Sequence, residues 1–276
     1  YCSAKGITDP GENGLRVVPE TVSAEAREAG VRIAKTVKQA QAMRKDEPDS
    51  RVFLAGDLLV PLYGADGKIG NLQTINPNFK GFVKDGRKAG LFTVAGTTPR
   101  AYFNGLESDQ KAPILFAEGY ATANTVARLA DQPCVVAFDS GNLDAVIAQF
   151  RERYPERPFL IASDNDHQKP LQVGPDGKPM KNVGLVKAIE AGKAHGAGVM
   201  APQFAQDDKG TDWNDLEKSV GTDAARNVLA TEMAKAKTEA AMAAERLMSL
   251  ARQRDMEARN DPTTSAVSYT HLTLPT

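Results

Sequence analysis

Short apolar runs alternate with longer stretches of helical periodicity in the middle of the chain. The apolar runs, which we expect to be strands, lie at 113–117, 134–138, 159–162 and 199–201. The helices that we expect between them cover 120–130, about 142–153 and about 183–195. Buried strands separated by helices of this length indicate a parallel sheet with helices on both faces.

The segment before this alternation begins with a helical pattern. Thr21 or Ser23 can cap a helix that runs from Ala24 to Met43 and ends at the Asp-Glu-Pro sequence 46–48. We therefore expect a helical segment over residues 1–50.

Residues 51–100 change to the period of β-strands. Apolar and polar residues alternate between Val52 and Leu62, and turn sequences follow at 64–67, 76–77 and 85–86. This pattern predicts a β-meander of about four short strands.

Two further segments have clear patterns after the third apolar run. Residues 168–182 contain a Gly-Pro-Asp-Gly turn, which predicts a surface loop. Residues 222–260 contain neither proline nor glycine and are rich in alanine, lysine and glutamate. They predict one long helix.

The composition is that of a globular protein. Of the 276 residues 41% are hydrophobic, which excludes a disordered chain, and no apolar run is long enough to span a bilayer. The formal net charge of -1 excludes a uniformly basic nucleic-acid binder but allows a local basic patch. Cys2 and Cys134 are too few for a four-cysteine zinc site or a disulfide framework. We therefore expect a cytoplasmic protein with reduced thiols.

Both ends of the sequence have unusual features. The chain opens at Tyr1 without a methionine, so we expect a fragment of a longer protein. The last ten residues, 267–276, change character abruptly and are similar to a translated transposon-end sequencing adaptor. We interpret them as an artefact of sequencing.

Carboxylates follow three successive predicted strands. The first strand is followed by Glu118, the second by Asp139, and the third by Asp164 and Asp166. Ligands of open parallel sheets bind beyond the carboxyl ends of the strands, where these side chains should meet. Such a cluster would be repulsive without a cation, and hard oxygen ligands suit Mg²⁺ or Mn²⁺.

Each of these acids has a structural alternative. Asp139 is as well explained by capping of the next helix as by metal binding. Two acids at one turn, Asp164 and Asp166, exceed what a cap needs, which favours a functional role. Glu118 is a poor cap and precedes a glycine that permits close backbone approach, so a functional role is favoured there too.

The segment 79–88 concentrates positive charge near two aromatic residues. It contains Lys80, Lys84, Arg87 and Lys88, interleaved with Phe79 and Phe82. Cations bind backbone phosphates and aromatic faces stack on unpaired bases, so the segment is a candidate nucleic-acid surface. A solvated hairpin with both phenylalanines in the core explains the same pattern equally well.

Three other residues are candidates for accessory roles. Asp212 and Asp215 can contact a metal ion or the acidic edge, although capping of a helix by Asp212 is the simpler explanation. Lys187 can contact a triphosphate, although a charged helix face is the favoured alternative.

The motifs together resemble the Toprim domain. The resemblance rests on the sequence EGYATA at 118–123, on the Asp-x-Asp of Asp164 and Asp166, and on TDWNDL at 211–216. EGYATA is the form found in primases of conjugative plasmids. The likeness is firm over 112–218 and looser upstream.

The resemblance implies a fold and a division of the chain. The fold would be α/β, a Toprim domain with a Rossmann-like parallel sheet and flanking helices, preceded by a small α+β primase subdomain and followed by a long helix. The partial helical segment would cover 1–50, the β-rich subdomain 51–111, the Toprim domain 112–218 and the helical extension 219–262.

The resemblance also implies an activity. Glu118 would be the catalytic acid or base, and Asp164 and Asp166 would hold Mg²⁺ or Mn²⁺. The reaction would be nucleotidyl transfer, in which a ribonucleotide 3′-hydroxyl attacks the α-phosphate of a nucleoside triphosphate on a single-stranded DNA template. A helicase or a relaxase would be the protein partner.

Three alternatives share the acidic edge. A Toprim nuclease or topoisomerase-like enzyme would cleave phosphodiesters, but a topoisomerase needs a tyrosine nucleophile, and neither Tyr120 nor Tyr154 is well placed. A non-catalytic module would only dock on DNA or on a protein, and the intact acids argue against it. A phosphatase carries its Asp-x-Asp on the first strand, whereas here it follows the third.

Overall fold

The computed structural model describes residues 1–7, 11, 13–109 and 111–260. Within these residues the strands form one sheet of five strands, one of four and one of two. The interpretation of 267–276 as an artefact concerns residues outside these ranges.

The N-terminal part contains a small parallel sheet. The elements of this N-terminal part are β1 (Arg16–Val17), α1 (Ala24–Glu28), β2 (Val31–Ala34), α2 (Val37–Asp46) and β3 (Arg51–Leu54), and the small sheet consists of β2 and β3. Because β2 pairs with β3, the single helix that we predicted from Ala24 to Met43 is wrong. The helix breaks at Gly30, whose φ is +81°, and the β-branched Val31 and Ile33 favour the strand that follows.

Most strands of the following segment belong to an antiparallel sheet. The elements of this segment are β4 (Leu58–Tyr63), β5 (Ile69–Asn76), β6 (Phe79–Phe82), β7 (Thr93–Ala95) and α3 (Pro99–Ser108). The sheet order is β1-β4-β5-β6. The predicted meander is therefore correct for β4 to β6 only, because β3 pairs with β2 and β7 joins the central sheet. We did not predict α3 from the sequence, although Thr98 caps it and proline stands at its first position.

The central sheet confirms the predicted strand-helix alternation. Its elements are β8 (Ile114–Ala117), α4 (Tyr120–Ala130), β9 (Cys134–Val136), α5 (Ser140–Arg153), β10 (Phe159–Ala162), α6 (Val183–His195) and β11 (Ala197–Met200). The order is β11-β10-β8-β9-β7, in which the first four strands are parallel and β7 is antiparallel to β9. The sheet thus extends upstream of residue 112.

Both faces of the central sheet are covered. Leu115 and Ala117 of β8 belong to the apolar cluster under α4, whereas Ile114 and Phe116 belong to the cluster under α3, α5 and α6. All four side chains are fully buried. Successive residues of a strand point to opposite faces, so a strand buried on both sides is continuously apolar.

Two helices complete the fold after β11. These are α7 (Trp213–Val220), which begins with the buried Trp213, and α8 (Thr222–Asn260), which confirms the predicted long helix. A Cβ atom at Gly198 of β11 would clash with the backbone of Ala236, so α8 lies directly against the sheet edge. None of the helices in the described ranges has the length and apolar character needed to cross a membrane.

Candidate active site

The predicted acids follow neighbouring strands of the central sheet. Glu118 directly follows β8, which lies between β9 and β10. Asp139 lies three residues beyond β9, and Asp164 and Asp166 follow β10. The parallel order therefore brings these acids to one edge of the sheet, as the sequence predicts.

Asp164 lies at the centre of the negative charge. Burial raises the pKa of its carboxyl to about 7, and the negative charges of Glu118, Asp212 and Asp166 contribute to the rise. The hydroxyl of Thr122 opposes the rise by donating a hydrogen bond of 3.2 Å to Asp164 Oδ1. A raised pKa of this size means that the site favours a neutralising partner, either a proton or a cation.

Glu118 is half-buried at the same edge. Burial raises the pKa of its carboxyl, and the charges of Asp139 and Asp166 add to the rise. A hydrogen bond from the backbone amide of Ser140 and the positive charge of Lys80 oppose it. A carboxylate with a raised pKa holds a proton more readily than an exposed one, which suits it to proton transfer.

The first turn of α6 closes against these two acids. A Cβ atom at Gly184 would lie 3.4 Å from Glu118 Oε2 and 3.6 Å from Asp164 Cβ, so glycine permits the helix to approach closely. The N-terminus of the helix carries a partial positive charge, which is favourable beside carboxylates. The role of Gly184 was not predictable from the sequence, because nothing in the local pattern distinguishes this residue from an ordinary helical glycine.

The middle residue of the Asp-x-Asp turn fixes the turn in place. Asn165 is buried, its backbone amide donates to the Thr211 carbonyl at 2.6 Å, and its side chain donates to the Pro202 carbonyl at 2.8 Å. Asn182 donates to Asn165 Oδ1 at 2.8 Å and accepts a hydrogen bond from the Asp166 amide at 3.3 Å. These asparagines were also missed, because their partners are distant in sequence.

Asp139 acts as a helix cap. Its Oδ1 accepts a hydrogen bond of 3.0 Å from the Asn142 amide at the start of α5, and its Oδ2 forms an ion pair with Lys88. Phe138, the residue before it, has a φ of +73°, which is unusual for a bulky side chain. The structure therefore favours the capping interpretation, since a metal ion at Asp139 would compete with Lys88.

The basic segment 79–88 divides into two parts. The positive charge of Lys80 acts on Glu118, and the Lys88 ammonium lies 5.5 Å from the centre of the Phe82 ring, besides its pairing with Asp139. Lys84 instead donates to the Pro48 carbonyl at 3.5 Å, and Arg87 lines a groove formed with α1, β2 and β3. Only Lys80 and Lys88 are therefore placed at the acidic edge.

The two phenylalanines of this segment also differ. Phe82 is half-buried and packs edge-on against Phe138 with ring centroids 6.1 Å apart. Phe79 is 58% exposed. The core interpretation therefore holds for Phe82, whereas Phe79 is accessible to a ligand.

The accessory candidates occupy different places. Asp212 caps α7 by accepting a hydrogen bond of 2.8 Å from the Asp215 amide, and its charge also acts on Asp164. Asp215 Oδ2 accepts hydrogen bonds from the amide and the hydroxyl of Thr211 at 3.2 and 3.3 Å. Lys187 pairs with Glu190 at 2.7 Å on an exposed helix face, as the structural alternative predicts.

The acidic edge fits an open metal site better than a closed one. Across the described ranges, no group of three or more histidine, cysteine, aspartate or glutamate side chains is arranged to hold a metal ion by itself. Mg²⁺ commonly uses one or two carboxylates and completes its shell with water and substrate phosphates. Asp164 and Asp166 could provide such a donor pair, and burial together with neighbouring negative charges raises the pKa of Asp164 in the metal-free site.

Comparisons with known proteins identify the fold. No protein-family model matches the chain. The RNA polymerase domain of the Mycobacterium tuberculosis primase DnaG superposes with a TM-score of 0.53 at 12% identity, covering 83% of this chain and 74% of that chain. A DnaG primase catalytic domain bound to single-stranded DNA gives a TM-score of 0.51 at 12% identity, covering 84% and 72%. The fold is that of a DnaG catalytic core. It includes the Toprim fold, as the sequence motifs predict.

A curated relative is similar in sequence as well. A DNA primase TraC of Escherichia coli is 41% identical over 148 residues, which are 53% of this chain. The match covers 13% of the length of that protein. The chain is thus similar to a small part of a much longer primase and carries the fold of primase catalytic cores.

Proposed function

We propose that this chain is the catalytic part of a DNA primase, which synthesises short RNA primers on single-stranded DNA with Mg²⁺ or Mn²⁺. The observation that carries the proposal is the convergence of Glu118, Asp164 and Asp166 at one edge of a DnaG-like sheet, where burial and mutual repulsion raise the pKa of Glu118 and Asp164. The 41% identity to a DNA primase TraC supports the reaction class.

Each acid has a role that its surroundings support. Asp164 and Asp166 are the metal ligands, and a magnesium ion bound there would lower the pKa of the primer 3′-hydroxyl and neutralise charge on the phosphates. Glu118 accepts the proton of that hydroxyl. The hydroxyl oxygen then forms a bond to the α-phosphorus, the bond between the α- and β-phosphates breaks, and pyrophosphate leaves.

The basic residues beside the acidic edge bind nucleic acid in this proposal. Lys80 and Lys88 lie where backbone phosphates of template and primer would approach the acids, and the exposed Phe79 ring can stack on an unpaired base. Lys84 and Arg87 extend the positive surface away from the site. The solved complex of a DnaG primase catalytic domain with single-stranded DNA supports a DNA template.

The similarity to TraC also suggests a biological setting. We place the activity in the cytoplasm, in the replication or conjugative transfer of a plasmid or another mobile element. A helicase or a relaxase would then deliver the single-stranded template. Copurification of this chain with either protein tests this setting.

Primer synthesis on single-stranded DNA with labelled ribonucleotides and Mg²⁺ tests the function. We expect short RNA products from the native chain and none from the double variant Asp164→Asn/Asp166→Asn, with Asp176→Asn in the surface loop as the exposed control. Metal-dependent nicking of the DNA without RNA products would instead assign the site to a nuclease and overturn the proposal.

A further inference from the structure

A polar cleft opens beside the Asp-x-Asp turn, on the side of Asp166. Its volume is about 430 Å³. Its walls include Asp166, Lys169, Gln172, Asp207, Lys209 and Thr211. Small-molecule sites in proteins range from about 300 to 1,000 Å³, so the cleft has the size of a mononucleotide site.

The two walls of the cleft are joined directly. One wall follows β10, and the other is the loop between β11 and α7. The Gln168 side chain donates to the Asp208 carbonyl at 3.1 Å and also to the Gln206 carbonyl. The His167 ring stacks on Phe204 at a centroid distance of 5.3 Å. These contacts fix the position of one wall relative to the other.

Glycine at position 210 is part of this arrangement. A Cβ atom there would clash with the Phe204 ring. The Gly210 amide donates to Asp208 Oδ1 at 2.7 Å, which fixes the loop that carries Lys209. The position of Lys209 at the cleft thus follows from a defined backbone.

Two lysines give the cleft its chemistry. Lys169 comes from one wall and Lys209 from the other, and among the side chains that the structure describes neither ammonium group pairs with a carboxylate. The acids of the lining are Asp166 and Asp207. Asp166 is a proposed metal ligand, so the cleft presents two cations next to the place where a metal ion would bind. A polyphosphate is the ligand class that takes both lysines and a metal ion.

We propose that this cleft binds the triphosphate of the incoming nucleoside triphosphate, with Lys169 and Lys209 contacting phosphate oxygens that do not react. The inference rests on the proposed function, because it takes the α-phosphate to lie at Asp164 and Asp166. In this arrangement the site has two sides. The cleft binds the nucleotide, whereas the side with Lys80 and Lys88 binds the nucleic acid.

Fluorescence titration with a methylanthraniloyl derivative of ATP tests the cleft without requiring catalysis. The full chain is titrated in Mg²⁺, and inorganic tripolyphosphate is the competitor. We expect Lys169→Gln and Lys209→Gln each to raise the dissociation constant roughly five- to tenfold, the size of one lost hydrogen bond at a site open to water. Lys178→Gln, at an exposed position of the loop 168–182 but outside the cleft lining, should change the dissociation constant less than about twofold. Tripolyphosphate should compete in the native chain.

The outcomes separate the inference from the proposed function. If the native chain binds the nucleotide and both variants behave like Lys178→Gln, the cleft is not the triphosphate site. This result does not contradict the proposed primase function. If the lysines control binding but no RNA is made, the cleft is supported and primer synthesis is not. Absence of nucleotide binding by the folded native chain contradicts both. In primer synthesis, the variants should raise KM for nucleotides and leave kcat nearly unchanged.

Discussion

Replacing the central acid of the site should stabilise the metal-free protein. At pH 8 the Asp164 carboxylate is ionised although burial and three neighbouring acids oppose ionisation. Asp164→Asn keeps the shape of the side chain and an oxygen that can accept the Thr122 hydrogen bond, but it removes the charge. The variant should therefore unfold at a higher temperature than the native chain, although it should have lost the proposed activity.

The magnitude follows from the pKa of Asp164. A rise from 3.8 to about 7 is about three units. At about 1.4 kcal/mol per unit this corresponds to about 4 kcal/mol of destabilisation at pH 8. Asp164 is half-buried and screened by water, so we expect about 1–2 kcal/mol in practice. At about 2–4 °C per kcal/mol for a chain of this size, the melting temperature should rise by about 2–8 °C.

The effect must depend on pH and on metal. A carboxyl with a raised pKa in the folded state holds more protons than in the unfolded state between pH 4 and 7. The contribution of Asp164 to stability therefore falls as pH rises through that window, and the advantage of Asp164→Asn should vanish near pH 4. Added Mg²⁺ should raise the melting temperature of the native chain but not that of the variant.

Thermal unfolding in EDTA at pH 8 and pH 4 measures this difference. Asp176→Asn, at an exposed position in the surface loop, controls for removal of a charge that is not buried. If Asp164→Asn is no more stable than the native chain at pH 8 without metal, burial and neighbouring charge do not destabilise the Asp164 carboxylate as we infer.

Three other changes test separate parts of the structure. Thr122→Val removes the hydrogen bond to the Asp164 carboxylate and should raise the half-saturating Mg²⁺ concentration of primer synthesis roughly fivefold. Thr125→Val, in the same helix but facing α7, should leave that concentration unchanged. Equal Mg²⁺ dependence of the two variants would refute the role of Thr122. Gly198→Ala forces α8 away from the sheet and should lower the free energy of unfolding, measured with a denaturant, by about 1–3 kcal/mol. Gly105→Ala, with open space around it in α3, should be neutral or stabilising. Similar effects of the two substitutions would refute the close packing of α8 on β11. Lys80→Gln should weaken single-stranded DNA binding and reduce the slope of its salt dependence by about one, and an unchanged slope would place Lys80 outside the interface.

The central sheet was predictable because local pattern and tertiary environment agree there. Continuous apolar runs such as Phe159–Ala162 occur where both faces of a strand are covered, and that is how β10 is packed. The acidic edge was predictable for the same reason, since parallel strands fix where residues such as Glu118 must lie.

Other parts depend on contacts that the pattern does not contain. The break at Gly30 separates two short helices, and the strand β2 exists because β3 pairs with it from twenty residues away. Lys84 and Lys88 have the same sequence signal, but only Lys88 meets an acid of the site, because the chain turns between them. The roles of Asn165 and Gly184 arise from packing between distant segments.

Single-turnover extension of an annealed RNA primer by one nucleotide tests the central claim most directly. It isolates the chemical step from template choice and initiation. Glu118→Gln removes the proton acceptor while keeping the shape of the side chain, and we expect the rate to fall at least about 100-fold with nucleotide binding unchanged. An extension rate within about twofold of the native chain would show that the acidic edge at Glu118 does not carry out the reaction.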